Sequence, residues 1–315
     1  MTLTHRPTAL DGDPDDDIKA IPLRRPGRAV AAAVVIILLG LFLYGAATNS
    51  AYDWSTYFKY LPDKRISHGA VVTIELTIIA MLLGIVTGVL AAIMRMSDNP
   101  VLRYVAWLYV WVFRGTPVYV QLVFWGLFTS IYRDIHIGIP FSYTFTHLST
   151  SSWLTPFVAA FLGLGLNEGA YMSEIMRAGI SSIDEGQREA STALGMSWWL
   201  TTRRVVLPQA MRVIIPPTGN ELIGMLKTTS LVIAVPLTTD LYSQSEQISA
   251  VLYRPIPLLL AASTWYLVIT TILMIGQHFL EKRFSRGLSR TLNDRQLKRL
   301  AADAQVPGAE SLGAH

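Results

Sequence analysis

Cysteine is absent from all 315 residues, which excludes disulfides and any thiolate centre for zinc, iron–sulfur or redox chemistry. Charge is scarce as well. Asp, Glu, Lys and Arg make up 15% of the chain, against about 25% in ordinary soluble domains, so a soluble protein is disfavoured. The excess of Lys and Arg (26) over Asp and Glu (22) leaves a net charge of +4, too slight to indicate a nucleic-acid partner. No Gly-x-x-x-x-Gly-Lys-Ser/Thr phosphate loop occurs, so this chain does not bind ATP in that manner. The histidines, His5, His68, His136, His147, His278 and His315, form no i, i+4 pair and no His-Glu-x-x-His motif; neither a metal site nor a cofactor is expected. Clustered catalytic groups and internal repeats are also missing.

What is abundant is apolar sequence, 51% of the chain. Residues 29–52 carry no charge, and their centre, AAAVVIILLGLFLYGAA, meets the about 20 residues needed to cross a hydrocarbon core. A tail of residues 1–28 with an acidic run at 11–17 precedes this span, which fits an uncleaved anchor better than a signal peptide. The run DGDPDDD lacks the central Gly and closing Glu of a calcium loop and reads as a solvated, disordered tail. Further crossings are predicted at 76–94 (starting as early as Gly69), 115–132, within 154–166, at 213–236 and at 255–280. Pro216, Pro217, Glu221 and Lys227 interrupt the fifth of these six. Residues 99–113, aromatic and bearing Arg103, suit a helix along the interface. The fold class is therefore an all-α polytopic membrane protein. Gly84-x-x-x-Gly88 and Gly165-x-x-x-Gly169 give its helices small faces for close approach. Methionines and aromatics in the spans are expected to fill the core.

Basic residues mark orientation, because cytoplasmic segments carry the excess of Lys and Arg. Arg6, Lys19, Arg24, Arg25 and Arg28 lie in the tail. Arg95, Arg103 and Arg114 precede the third span, and Arg177, Arg188, Arg203, Arg204 and Arg212 follow the fourth. Seven more occur from Lys282 onward. The opposite side keeps Lys59, Lys64, Arg65, Arg133 and Arg254. Both termini are therefore expected in the cytoplasm, with the basic C-terminal segment resting on anionic headgroups.

The polar segment 181–217 between the fourth and fifth spans is too long for a turn. A helix from Glu185 to Leu194 would end at Gly195, a residue suited to a left-handed cap, and a second helix from Ser197 would stop before Pro208. Small Ala190, Ser191 and Ala193 would let a partner approach, with Trp198 and Trp199 anchoring the contact. The residues Glu189-Ala190-Ser191, three residues, Gly195, nine residues and Val205-Val206-Leu207-Pro208 resemble the EAA signature of ABC-importer permease subunits. Ser and Val replace one Ala and one Ile of that signature. FRGTP from Phe113, LNEGAYMSEIMRAGI from Leu166 and GNELIGMLKTTSL from Gly219 are similar to the polar amino acid branch, the permeases for histidine, glutamine and basic amino acids. Two departures stand out: Glu168 where a small polar residue is common, and Thr228 in place of an acidic residue after the lysine.

The resemblance implies a five-helix permease core at 69–283 containing the coupling loop 181–217, plus one extra N-terminal transmembrane helix at 29–52, an extracytoplasmic loop at 53–68 and a basic tail at 284–315. It also implies a prokaryotic plasma membrane location, two separate ABC ATPase subunits, a second permease chain, identical or paralogous, and an extracytoplasmic solute-binding protein delivering a polar amino acid. The ATPase-coupling residues would be Glu189, Ala190, Ser191, Gly195, Leu207 and Pro208. Intramembrane ionisable groups are candidate pathway residues, which gives Glu75, Glu168, Glu221 and Lys227, with Asn167 and Asn220 as hydrogen-bonding neighbours. Lys227 and Glu221 could serve the carboxylate and ammonium of one zwitterion, yet six residues place them about 240° apart on a helix. Pairing of Lys227 with a carboxylate of another span is the alternative. Arg114 and Glu174 read as gating or packing ion pairs. Two other classes stay in view: a polytopic membrane enzyme, which needs the missing catalytic cluster, and an ion-gradient-driven carrier, which usually shows inverted repeats.

Overall fold

The computed structural model describes residues 26–139 and 143–284. The acidic tail run, the basic C-terminal segment, His5 and His315 lie outside the described residues. The chain forms two units, one up to Tyr52 and one from Asp53 onward. In the first, α1 (Pro26–Thr48) runs for 23 residues, about 35 Å at 1.5 Å per residue, enough for a core of about 30 Å. It starts earlier than predicted because proline suits a first helical turn. It stops at Thr48, whose Oγ1 donates to Tyr44 O at 2.8 Å, and a 3₁₀ turn (Ser50–Tyr52) follows.

In the second unit Asp53 caps α2 (Trp54–Tyr60) by accepting from Thr56 N and from Thr56 Oγ1, the latter at 2.7 Å. Asp63 caps α3 (Lys64–Arg95) through Arg65 N at 2.8 Å. Then come α4 (Pro100–Gly115) and α5 (Val118–Ile131). An antiparallel hairpin of β1 (Asp134–Ile139) and β2 (Tyr143–Ser149) leads into the single turn α6 (Thr150–Trp153). The remaining elements are α7 (Pro156–Ser181), α8 (Glu185–Ala193), α9 (Trp198–Thr201), a π turn (Thr202–Val206), α10 (Leu207–Thr228), a 3₁₀ turn (Thr229–Ala234), α11 (Leu241–Leu252) and α12 (Pro255–Phe284). Among the described residues the hairpin is the one addition to the all-α expectation; its alternating Ile, Tyr, Phe and Thr residues suit a pleated strand.

Three described helices are long and apolar enough to cross a membrane: Val30–Thr48 within α1, α3 and α12. The spans differ from expectation in extent. The second reaches back to Lys64, and the fourth continues to Ser181 because its polar residues turn inward. The third is a helix of only 14 residues, about 21 Å. The fifth stays helical through Pro216 and Pro217, although proline inside a helix costs about 3 kcal/mol or more. At this point α10 is tied to α12: Gln277 Nε2 donates to Pro216 O at 2.8 Å, and Gly219 leaves space for the Gln277 side chain. Nor does the chain break before Pro208. Leu207 N bonds Thr202 O five residues back, and this wider π turn accommodates the proline ring at the start of α10.

Close approach of α3 and α7 organises the core. A Cβ on Gly84 would lie 2.7 Å from Glu168 Cγ, and one on Gly165 would lie 2.7 Å from Leu83 Cδ2. The two glycine pairs predicted from spacing therefore interlock with one another. Around this crossing Leu76, Ala80, Leu122, Leu164 and Val232 form one buried cluster, and Ile66, Leu226, Leu241, Leu258 and Ala261 form a second.

Candidate functional site

Two regions of the second unit concentrate functional features. The first is the loop between α7 and α10. Asp184 Oδ1 accepts from Gly186 N at 2.7 Å and opens α8. At the other end Gly195 adopts φ +74°, its N–H bonds Thr192 O at 2.9 Å, and Met196 N bonds Ser191 O at 3.1 Å. These are the paired bonds of a Schellman cap, which needs a left-handed residue at this position. Ser197 Oγ then caps α9. Arg188 donates to Ile180 O at 3.1 Å, tying α8 to the end of α7. Glu189, Ala190, Leu207 and Pro208 are exposed, as are Leu194 (82%), Trp198 (78%) and Trp199 (63%). Ser191 departs from the expectation that it faces a partner: it is buried and donates to Gln187 O at 2.7 Å. The protrusion thus presents an apolar, aromatic surface on a firmly capped scaffold.

The second region is a cleft of about 470 Å³ lined by the α4–α5 junction, α7 and α10. Arg114 and Thr116 enter from the junction, Asn167, Glu168 and Tyr171 from α7, and Glu221 and Thr228 from α10. The junction is fixed by a polar network. Asn167 Nδ2 donates to Phe113 O at 2.8 Å and to Gln121 Oε1 at 3.2 Å, while Gln121 Nε2 donates to Phe113 O at 2.9 Å and to Thr116 Oγ1 at 2.8 Å. Buried Gln121 therefore pins the FRGTP segment, and Tyr109 adds a bond from its hydroxyl to Leu166 O at 2.7 Å. Sequence reading passed over both. Gln121 was the detectable one, a lone amide in the apolar run VYVQLVFW.

Glu168 is 6% exposed, and its Oε1 has no hydrogen-bond partner among the described residues. A buried carboxylate oxygen in that condition is costly, and a ligand donor entering the cleft would relieve it. Glu221 supplies a second, partly exposed carboxylate on the facing helix. One cation lines the same cleft: Arg114 lies over the Tyr171 ring, 5.2 Å from its centroid. Arg114 also approaches Glu174 Oε1 at 3.5 Å. Glu174 is held more closely by Arg177, at 2.9 Å, and by Arg95 of α3. Arg114 is thus the loosest partner of a cluster joining α3, α4 and α7.

Of the residues expected along a pathway, Asn167, Glu168 and Glu221 converge on this cleft. The others do not. Lys227 is exposed in a separate cleft with Ser230, Tyr242, Ser263 and Tyr266, so it does not share a ligand site with Glu221. It also forms no ion pair among the described residues. Asn220 accepts from Gln277 Nε2 at 3.3 Å, and Glu75 is exposed on α3.

A capped protrusion, helices interlocked through glycine and a charged cleft between them fit a membrane permease, and comparison with known proteins decides the family. The family described as "binding-protein-dependent transport system inner membrane component" matches residues 84–286. The chain belongs to this family. The permease is 56% identical, over 92% of its own length and 91% of the relative's, to the arginine transport system permease protein ArgU of Corynebacterium glutamicum. It is 34% identical to the glutamine transport system permease protein GlnP of Escherichia coli, over 74% of this chain and 97% of that one. Among solved structures it is similar to an amino acid ABC transporter crystallised with histidines, with a TM-score of 0.59, 33% identity and coverage of 72% of this chain and 96% of the other. The permease is a transport subunit rather than an enzyme, and its family implies ATPase and permease partners.

Proposed function

We propose that this permease carries a cationic amino acid, of the arginine and lysine class, through the cleft between Glu168, Glu221 and Arg114. Buried Glu168, whose Oε1 has no hydrogen-bond partner among the described residues, carries this reading. A cationic amino acid presents two positive groups and one carboxylate. The cleft offers two carboxylates and one guanidinium, the complementary set, and charge-assisted pairs of this kind replace lost hydration. A neutral amino acid would leave one carboxylate without a partner. The 56% identical relative, named for arginine transport, supports the same class. Asn167 orients the junction, and Thr228 in the lining leaves the cleft without a third carboxylate.

In this reading the α8–α9 protrusion docks in a groove of one ATPase subunit, the second permease chain's protrusion taking the other, with Glu189, Ala190, Gly195, Leu207 and Pro208 at or beside the contact. Ser191 supports the helix from within. Nucleotide-driven closure then rocks the spans and exposes the cleft to either side in turn. A second permease chain completes the pathway, an extracytoplasmic solute-binding protein delivers the substrate, and both termini lie in the cytoplasm. The test is uptake by the full complex in proteoliposomes. Loss of one charge-assisted hydrogen bond, about 1.5–3 kcal/mol, predicts that Glu168→Gln lowers arginine uptake about 10- to 100-fold. Glutamine transported as fast as arginine by the unaltered complex, or arginine uptake unaffected in the variant, would refute the assignment.

A further inference from the structure

A groove of about 420 Å³ runs between α3 and α12, away from the charged cleft, lined by Lys64, Ser67, His68, Val71, Ile74 and Trp265, among others. Five of the six α3 members recur at i, i+3, i+4, i+7 and i+10, one face of a helix, and Ala70 borders them. Polarity is graded along that face. Lys64, Ser67 and His68 stand at the mouth, and below them the lining is apolar, ending at Ile74 and at Ile269 of α12. Lys64 is exposed and forms no ion pair among the described residues, whereas the neighbouring Arg65 is taken by Asp63 at 3.4 Å. The Trp265 indole N–H is committed to Leu61 O at 3.0 Å, leaving the ring as apolar wall.

We propose that this groove binds one anionic phospholipid, its phosphate at Lys64 and His68 and an acyl chain along Val71, Ile74 and Ile269. Ten residues of α3 separate Lys64 from Ile74, about 15 Å, which is half of a hydrocarbon core of about 30 Å. The groove therefore has the depth of a single leaflet, and its one unpaired ammonium stands where the headgroup would lie. A second permease chain seated there would have to bury that ammonium and supply a carboxylate; a phospholipid brings the anion and the apolar tail in one molecule. Basic side chains at membrane helix ends select anionic headgroups in this manner.

The test is photocrosslinking from benzoylphenylalanine placed at Val71, with the full transport complex in nanodiscs of equimolar phosphatidylglycerol and phosphatidylcholine. One basic side chain near an anionic headgroup corresponds to about a fivefold preference. Phosphatidylglycerol adducts are expected to exceed phosphatidylcholine adducts by that ratio or more. Lys64 and His68 are both exposed, so Lys64→Gln/His68→Gln should fold and bring the ratio to parity, while Lys64→Arg should retain it. Equal labelling in the unaltered complex, an unchanged ratio in the double variant, or a second permease chain as the main adduct would overturn the proposal. Loss of the preference on adding inorganic phosphate would also overturn it, in favour of a free-anion site.

Discussion

Substitution at Gly195 gives the sharpest test of the loop, because the structure separates two costs that usually act together. A Cβ added there meets nothing within 4 Å, so there is no steric collision to relieve. The remaining cost is the backbone at φ +74°, about 1–2 kcal/mol for a residue with a Cβ in the left-handed region. Asparagine adopts that region more readily, and a β-branched residue adopts it worst. Helix α8 has nine residues, below the length at which an isolated helix is stable, so the cap is a large part of what holds the protrusion in shape. A loss of 1–2 kcal/mol corresponds to about 5- to 30-fold fewer properly capped loops. Apparent affinity for an ATPase subunit that binds only the capped form falls by the fraction remaining. The expected order of retained ATPase subunit and of substrate-stimulated ATP hydrolysis is Gly195, then Asn, Ala and Val. Gly276→Ala, in α12 with nothing within 4 Å, serves as the neutral control. Wild-type coupling in Gly195→Val, with the protein correctly inserted, would show that the cap does not support docking.

At the helix crossing, Gly84→Ala places a methyl 2.7 Å from Glu168 Cγ and 2.9 Å from Glu168 Cβ. Overpacking of that kind costs about 1–3 kcal/mol, so the variant should unfold at lower temperature in detergent and lose uptake, while Gly276→Ala does neither. Gln121→Leu removes the donor that binds Phe113 O and Thr116 Oγ1, leaves the Asn167 amide without its Gln121 partner, and should raise the KM for substrate more than it lowers stability. Equal KM in the variant and the unaltered complex would argue against a positioning role. At the opposite end of the second unit, bonds from Thr56, above all from its hydroxyl, hold the Asp53 carboxyl below its ordinary value of 3.8, with the Arg254 charge helping. A depressed carboxyl contributes stability that is complete above the ordinary value and disappears as the pH falls through the lower folded value. Proteolysis of the segment before α2 should therefore accelerate only in strong acid, whereas Asp53→Asn should already be cleaved faster at neutral pH.

Much of the architecture was legible because membranes reward simple patterns. The uncharged run at 29–52 and the apolar segments of α3 and α12 announce themselves by length, since hydrocarbon demands about 20 residues. Gly195 was legible because the signal is local: a glycine ending an amphipathic segment has few other uses, and the observed cap follows from it. The glycine pairs at 84/88 and 165/169 announced close packing but not their partners, because spacing within a helix says nothing about which helix lies opposite. The same limit governed the cleft. Asn167, Glu168 and Glu221 were legible as costly groups in apolar sequence, yet so were Glu75 and Lys227, which the fold turns elsewhere.

Residue order alone determined membrane insertion, the capped protrusion with its EAA-like spacing and the absence of any nucleotide-binding loop in the chain, since each depends on properties of consecutive residues. Only the tertiary structure decided that Glu168 Oε1 is buried without a hydrogen-bond partner among the described residues, that Arg114 stands between the cleft and Glu174, and that α10 is tied to α12 beside its two prolines. Those outcomes arise from atoms far apart in the chain: Gly84 yields space to Glu168, Gln121 fixes the segment bearing Arg114, and Gln277 bonds the carbonyl of Pro216. Helical periodicity carries no record of such contacts.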